Sequence, residues 1–167
     1  MKVDYLYDAL NRQIFASWTL SGVPFKSLSY EYDPAGNRVL LSDPEHAAIA
    51  YTYDENNRLE TIVRAGVGLP PVTFVTIGYD AGGRRTSMLY GNGATVSYLY
   101  DNKEELTRLE TTSATSTTIA RFDYVYDSRG NRTQVDLVHM NATVRYTYDS
   151  ASRLTSDSLT PGAGSPV

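Results

Sequence analysis

The sequence predicts an all-β fold: a tandem array of hairpins forming a curved, spiralling antiparallel sheet. Three observations predict it. The dipeptide Tyr-Asp recurs seven times, at Tyr7-Asp8, Tyr32-Asp33, Tyr53-Asp54, Tyr79-Asp80, Tyr100-Asp101, Tyr126-Asp127 and Tyr148-Asp149, spaced by 25, 21, 26, 21, 26 and 22 residues. A period of this size marks one supersecondary unit copied along the chain, unable to bury its apolar face without a neighbour. The residues before each Tyr-Asp alternate with a period of two, and turn-forming residues follow it. No stretch combines helical periodicity with caps.

Each element follows from this pattern in chain order. Val3-Asp4-Tyr5-Leu6-Tyr7 opens as a return strand. Later return strands carry Leu28/Tyr30/Tyr32, Ile49/Tyr51/Tyr53, Val75/Ile77/Tyr79, Val96/Tyr98/Tyr100, Phe122/Tyr124/Tyr126 and Val144/Tyr146/Tyr148 at i, i+2 and i+4, so each trio projects from one sheet face. That face is expected to be buried, and the alternate positions, such as Glu31, Thr52 and Arg145, to be solvated. Thirteen of the fourteen tyrosines fall in these strand ends, Tyr90 being the exception, so tyrosine is a repeat residue.

After the Asp the chain must turn. The carboxylate accepts a nearby backbone N–H, and Gly or Asn at +3 tolerates positive φ: Gly36, Gly83 and Gly130 in one class, Asn11 and Asn57 in the other. The first class has Arg at +5 (Arg38, Arg85, Arg132) and opens short units; Asp8, Asp54 and Asp149 have Arg at +4 (Arg12, Arg58, Arg153). Asp101 breaks the pattern, with Glu105 at +4. The true repeat is a pair of units, about 47 residues long. Outgoing strands then begin near the Arg, as in Arg58-Leu59-Glu60-Thr61-Ile62-Val63 and Arg132-Thr133-Gln134-Val135-Asp136-Leu137. Short units turn back at Ser42-Asp43-Pro44-Glu45, Gly91-Asn92-Gly93 and Met140-Asn141-Ala142, with Asn92-Gly93 suited to a type I′ hairpin. Long units carry Leu20-Ser21-Gly22-Val23-Pro24, Gly66-Val67-Gly68-Leu69-Pro70-Pro71 and the polar run 111–118, whose extra residues are expected to lengthen the loop.

Composition bounds the rest. At 167 residues a compact domain buries roughly 70% of its unfolded surface, enough for a core. With 41% hydrophobic and 20% charged residues the chain is ordinary globular usage. A net charge of −4 and a pI near 5.1 disfavour nucleic acid and anionic membranes. There is no Cys, hence neither disulfide nor thiolate metal site, and no apolar run approaches the ~18 residues of a membrane span. The expectation is one repeat domain over residues 1–167, its seven units covering about 5–158 and a Pro/Gly-rich tail covering 159–167.

The run Tyr-x-Tyr-Asp-x-x-Gly-Asn-Arg stands at Tyr30-Glu31-Tyr32-Asp33-Pro34-Ala35-Gly36-Asn37-Arg38 and at Tyr124-Val125-Tyr126-Asp127-Ser128-Arg129-Gly130-Asn131-Arg132. It resembles the YD repeat of the RHS (rearrangement hotspot) family, found in bacterial RHS polymorphic toxins, insecticidal toxin-complex subunits and teneurins. The resemblance implies a β-sheet spiral that winds into a hollow shell, enclosing a toxic domain in the toxins and contributing to a cell-surface adhesion receptor in teneurins. It implies scaffold or encapsulation as the role, a secreted or cell-surface setting, and as partners the rest of a longer array or a toxin cargo domain. The chain departs from the family in one motif: Asp33-Pro34-Ala35-Gly36 is followed by Asn37, where the shell-closing self-cleavage segment would have Leu. An ordinary turn is expected there, and the chain reads as a fragment or short orphan of a longer array, without cargo of its own.

Enzymatic readings find little support. His46 and His139 lie in or near turns of different units. Asp54-Glu55-Asn56-Asn57 gathers oxygen donors but lacks the closing bidentate carboxylate of a calcium loop. No catalytic, cofactor or metal site is expected. The repeat residues, Tyr and Asp of every unit with Gly36, Gly83, Gly130 and the arginines named above, are read as structural. The alternative is an extracellular binding or adhesion module, using the Tyr face or the long-unit loops to contact glycan or protein. Both readings leave the end strands open, so self-association through unpaired edges is expected.

Overall fold

The computed structural model describes residues 1–44, 48–66 and 69–162, the side chains of Ala65 and Leu69 excepted. It holds fourteen strands: β1 (Lys2–Tyr7), β2 (Gln13–Leu20), β3 (Val23–Tyr32), β4 (Arg38–Ser42), β5 (Ala48–Tyr53), β6 (Leu59–Gly66), β7 (Leu69–Tyr79), β8 (Arg85–Tyr90), β9 (Thr95–Tyr100), β10 (Leu106–Thr112), β11 (Thr118–Tyr126), β12 (Arg132–Leu137), β13 (Ala142–Tyr148) and β14 (Leu154–Pro161). They form one antiparallel sheet in chain order. Two compact units divide the chain, Met1–Ile77 and Gly78–Val167.

Register places the two faces. Within the first unit, Tyr30 lies opposite Leu41, Leu41 opposite Ile49, Tyr51 opposite Ile62 and Ile62 opposite Val75. The second unit repeats the ladder with Tyr98, Leu109, Phe122 and Leu137, and with Tyr124, Val135, Val144 and Leu159. The other face carries Thr52, Thr61 and Thr76 in the first unit. In the second it carries an ionic ladder, where Asp123 is gripped by Arg108 at 2.6 Å and Arg121 at 2.8 Å. Cross-strand pairs of like character are what stabilise a sheet, so each face is internally matched.

The expected burial of the Tyr face needs correction. Among the described residues only Ala16, Val75, Ile77, Val96 and Val135 are buried apolar side chains. All five stand on the Tyr-bearing face, yet no tyrosine there is buried: most are half-buried, and Tyr5 and Tyr7 are exposed. The reason is architectural. Stable sheets bury an apolar face against a second layer, and within each unit the strands contact chiefly their sheet neighbours, with one 3₁₀ turn, Val138–Met140, against β11 and β13 in the second. Length alone predicted a core that contacts between sheet neighbours do not build.

The long units also differ from expectation, because their extra residues lengthen strands. β2 and β3 meet at a two-residue turn, Leu20 opposite Val23, with positive φ at both Ser21 (50°) and Gly22 (83°), the signature of type I′. Pro24 lies inside β3 beside the register shift at Trp18/Thr19, where a broken ladder tolerates a missing donor. Likewise Pro161 extends β14 opposite Ala142, so the tail proposed from residue 159 begins as strand. At Tyr90–Ala94 only Gly93 has positive φ, which rules out type I′ for Asn92-Gly93. His46 and the end of the Ser42–Glu45 turn lie outside the described residues.

Candidate functional site: the Tyr-Asp turns

Within each unit the Tyr-Asp turns lie at one end of the strands, joining β1 to β2, β3 to β4 and β5 to β6 in the first, and β9 to β10, β11 to β12 and β13 to β14 in the second. The Asp80 turn joins β7 to β8. All seven share one geometry despite their two sequence classes. The Asp amide donates to the carbonyl of the +4 residue, and the +3 amide returns to the Asp carbonyl, at 2.9 to 3.2 Å throughout. Every +3 residue is left-handed: Asn11, Gly36, Asn57, Gly83, Glu104, Gly130 and Ser152 have φ between 58° and 93°. This is a three-residue hairpin loop closed by a left-handed bulge residue, and the register shift beside the Tyr, as at Leu6/Tyr7, Glu31/Tyr32 and Thr52/Tyr53, is the bulge.

The Asp side chain holds that loop. Asp54 Oδ1 accepts from the amides of Asn56 (3.0 Å) and Arg58 (2.9 Å), and Oδ2 from Arg58 Nε (2.7 Å). Asp8 and Asp149 repeat the arrangement with Arg12 and Arg153. These bonds, together with those at Asp33, Asp80, Asp101 and Asp127, hold all seven carboxyls below their ordinary value of 3.8. The dominant cause is the hydrogen bond from the +4 residue, through its side chain at Asp33, Asp54 and Asp127 and its backbone amide at Asp8, Asp80, Asp101 and Asp149. Asp33 takes its side-chain bond from Asn37, so the Asp33-Pro34-Ala35-Gly36 segment is such a turn.

Position +4, rather than +5, is therefore the partner of the Asp in both classes. Asn37, Arg84 and Asn131 fill it in the Gly class, and Arg84 grips Asp80 at 2.7 Å as Arg12 grips Asp8. The +5 arginines turn elsewhere: Arg38 and Arg132 lie over the rings of Tyr51 and Tyr124, and Arg85 reaches Met88 Sδ. Grouping by the Gly at +3 hid Arg84, because Arg84 and Arg85 are adjacent and only the latter fits the +5 pattern.

The tyrosines link one turn to the next. Tyr32 Oη donates to the Gln13 carbonyl (2.8 Å), Tyr53 to Arg38 (3.0 Å), Tyr100 to Arg85 (3.0 Å), Tyr126 to Leu106 (2.9 Å) and Tyr148 to Arg132 (2.8 Å). Each acceptor is the +5 residue of the preceding Asp. The Arg12 guanidinium lies 4.8 Å from the Tyr32 ring centre and donates to the Asp33 carbonyl, and Arg84 covers Tyr100 at 4.8 Å. Burial pushes the Tyr53, Tyr124 and Tyr126 hydroxyls up. Neighbouring turns also touch directly, through Asn37 with Asn57 and Arg129 with the Ser150 carbonyl. The tyrosine hydroxyl is thus a bolt between repeats, a role the sequence marks only by preferring Tyr to Phe at that position.

The same turn recurs at the opposite strand ends without a Tyr-Asp signature. Tyr90 and Ser113 take the place of Asp, with Gly93 and Ser116 left-handed, and Ser113 Oγ accepts from the amides of Thr115 and Thr117. Away from the turns, a groove of about 380 Å³ opens in the first unit between Phe15, Phe25 and Pro44, with Lys26 and Ser27 on its wall. In the second unit His139 packs edge-on to Phe122 at 5.0 Å.

Turn geometry yields a substitution test. Gly36 has φ of 93° and no atom within 4 Å of where a Cβ would stand, so its replacement probes backbone alone. Gly36→Val should destabilise by about 2 kcal/mol, and Gly36→Asn by well under about 1 kcal/mol, because Asn occupies this place at Asn11 and Asn57. Chemical denaturation showing equal losses for both would contradict the left-handed assignment.

No family model and no curated protein matches the sequence. Solved structures do. The crystal structure of TcdB2-TccC3 aligns with a TM-score of 0.75 at 17% identity, over 90% of this chain and 9% of that one. Its form named TcdB2-TccC3-TEV aligns at 0.77 with 16% identity, over 93% and 9%. A Tc holotoxin pore from Photorhabdus luminescens aligns at 0.73 with 17% identity, over 88% and 8%. This chain spans less than a tenth of each of these three chains. In fold it is an antiparallel β-sheet of tandem hairpins that matches a segment of TcdB2-TccC3.

Proposed function

We propose that this chain is a non-enzymatic structural segment of a YD-repeat shell, with a scaffold or encapsulation role in a secreted toxin or cell-surface protein. The observation that carries the reading is the consumption of the repeat's polar groups by its own backbone. The Asp carboxylates close turns and the Tyr hydroxyls bolt one turn to the next. Groups so engaged hold a wall together and are not free to attack or protonate a substrate. The half-exposed apolar face suits a wall whose inner surface meets contents or a lumen. Likeness to the toxin-complex segments supports the reading at the level of fold. Among the described residues no helix is long and apolar enough to cross a membrane.

A binding role is favoured by one feature, the groove beside Phe15 and Phe25, whose aromatic and apolar walls suit a sugar face or an apolar peptide side chain. Cryo-electron microscopy of the complete gene product separates the two. The shell reading expects this segment as one stretch of a continuous wall with Tyr51 and Tyr124 turned inward. A free-standing domain with ligand or partner seated at Phe15 and Phe25 would overturn it.

A further inference from the structure

We propose that Arg64 anchors a docking site on the Tyr-bearing face of the first unit, and that its occupant is a polypeptide segment presenting one acidic side chain among apolar neighbours. Arg64 stands on β6 between Ile49 of β5 and Val72 of β7. Ile49 in turn faces Leu41, and Leu41 faces Tyr30, so Arg64 belongs to an otherwise apolar row. Its Nε is buried without a hydrogen-bond partner. Among the described residues neither a carboxylate nor an aromatic ring engages the guanidinium, whereas Arg12 and Arg38 on the same face cover Tyr32 and Tyr51. A buried charged donor left unpaired is destabilising.

The fold does not ask for an arginine there. The place ten residues after the repeat Asp holds Trp18 in β2, Leu137 in β12 and Leu159 in β14, each on the face of the tyrosines. In β10 it holds Thr111, while β4 ends before this place, at Asp43, and β8 ends on it, at Tyr90. An apolar side chain serves the sheet at this position, so the charge of Arg64 answers to something other than the sheet. Its chemistry selects the occupant. A planar guanidinium matches a carboxylate, which accepts two parallel N–H bonds from it. Beside it stand Ile49, Ile62 and Val72, the last 37% exposed, so the group that carries the carboxylate must be apolar on either side. A nucleic acid is disfavoured, because a single guanidinium on a chain of net charge −4 gives no run of cations to follow a phosphate backbone. The proposal rests on the shell reading in taking the Tyr face as the side that meets the contents, and it names the chemistry by which that face would hold them.

The test is a nuclear magnetic resonance titration of the full chain with two capped tripeptides, acetyl-Leu-Glu-Leu-amide and its Gln counterpart. The Glu peptide should shift the Arg64 Nε–H resonance and the amides of Ile49, Ile62 and Val72, and should bind about tenfold more tightly than the Gln peptide. Arg64→Met should abolish that difference, and Arg64→Lys should retain part of it. Met keeps the apolar stem and removes a charge that the free chain leaves unpaired, so Arg64→Met should unfold at a denaturant concentration no lower than wild type. A midpoint lowered by Arg64→Met would make Arg64 a structural residue and overturn the proposal. Equal binding of the two peptides, or binding of neither, would overturn it too. Octanoate binding more tightly than the Glu peptide would give the site to a lipid carboxylate and overturn the polypeptide occupant. These readouts come from the isolated chain, so a negative result strikes the anchor and leaves the shell reading to the microscopy.

Discussion

Tyr126→Ala should lower the unfolding free energy by about 2–3 kcal/mol, and Tyr126→Phe by about 1 kcal/mol. The two numbers separate ring from hydroxyl. The Tyr126 ring is half-buried on the apolar face, so truncation loses part of the 3–5 kcal/mol, on the order given for fully buried aromatics. The hydroxyl donates to the Leu106 carbonyl at 2.9 Å, and removing it leaves that carbonyl without its bond. Because the acceptor belongs to the turn opened by Asp101, the Phe variant should also loosen the contact between consecutive repeats. Hydrogen exchange of amides around residues 104–106 should rise in Tyr126→Phe. Val125→Ala, an exposed position on the other face, should stay within about 0.5 kcal/mol. Denaturation in which Tyr126→Phe equals wild type would remove the bolt from the account, and equal losses for Val125→Ala would remove the facing.

Much of this fold was legible because its signals are local. Alternation fixed the faces of β5, β9, β11 and β13, and Asp with a +3 glycine or asparagine fixed their turns. Left-handed Glu104 and Ser152 were not legible, since neither residue advertises positive φ; the turn imposes it through the Asp amide and carbonyl. The burial of the tyrosines was misjudged for a different reason. Alternation says which side chains share a face but not whether a second layer covers it. Loop lengths in the long units misled because Pro24, Pro70 and Pro71 read as punctuation, whereas the first lies beside a bulge and the others at the start of β7. The bolt from Tyr126 to Leu106 joins residues 20 apart, and no local pattern states it.

Acid should unfold the chain through its turns, at pH values below the ordinary carboxylate range. All seven repeat aspartates, and Asp123 between its two arginines, have folded pKa values below 3.8. A carboxyl depressed in the folded state binds its proton more weakly there than in the unfolded chain, where it titrates near ~3.9. Its stabilisation is therefore complete well above pH 4, and is lost as pH falls through the lower, folded values. Eight groups shifted the same way make the loss cooperative. Asp127→Asn isolates one of them: the amide oxygen can still accept the Arg129 and Asn131 amides that Asp127 Oδ1 now holds, at 2.8 and 2.9 Å, but the group no longer titrates. The variant should keep its circular dichroism at pH 7 and show a shallower loss of stability between about pH 4 and pH 2. A wild-type acid transition centred above pH 5, or an Asp127→Asn profile superimposable on wild type, would show that the turn carboxylates do not set the acid limit.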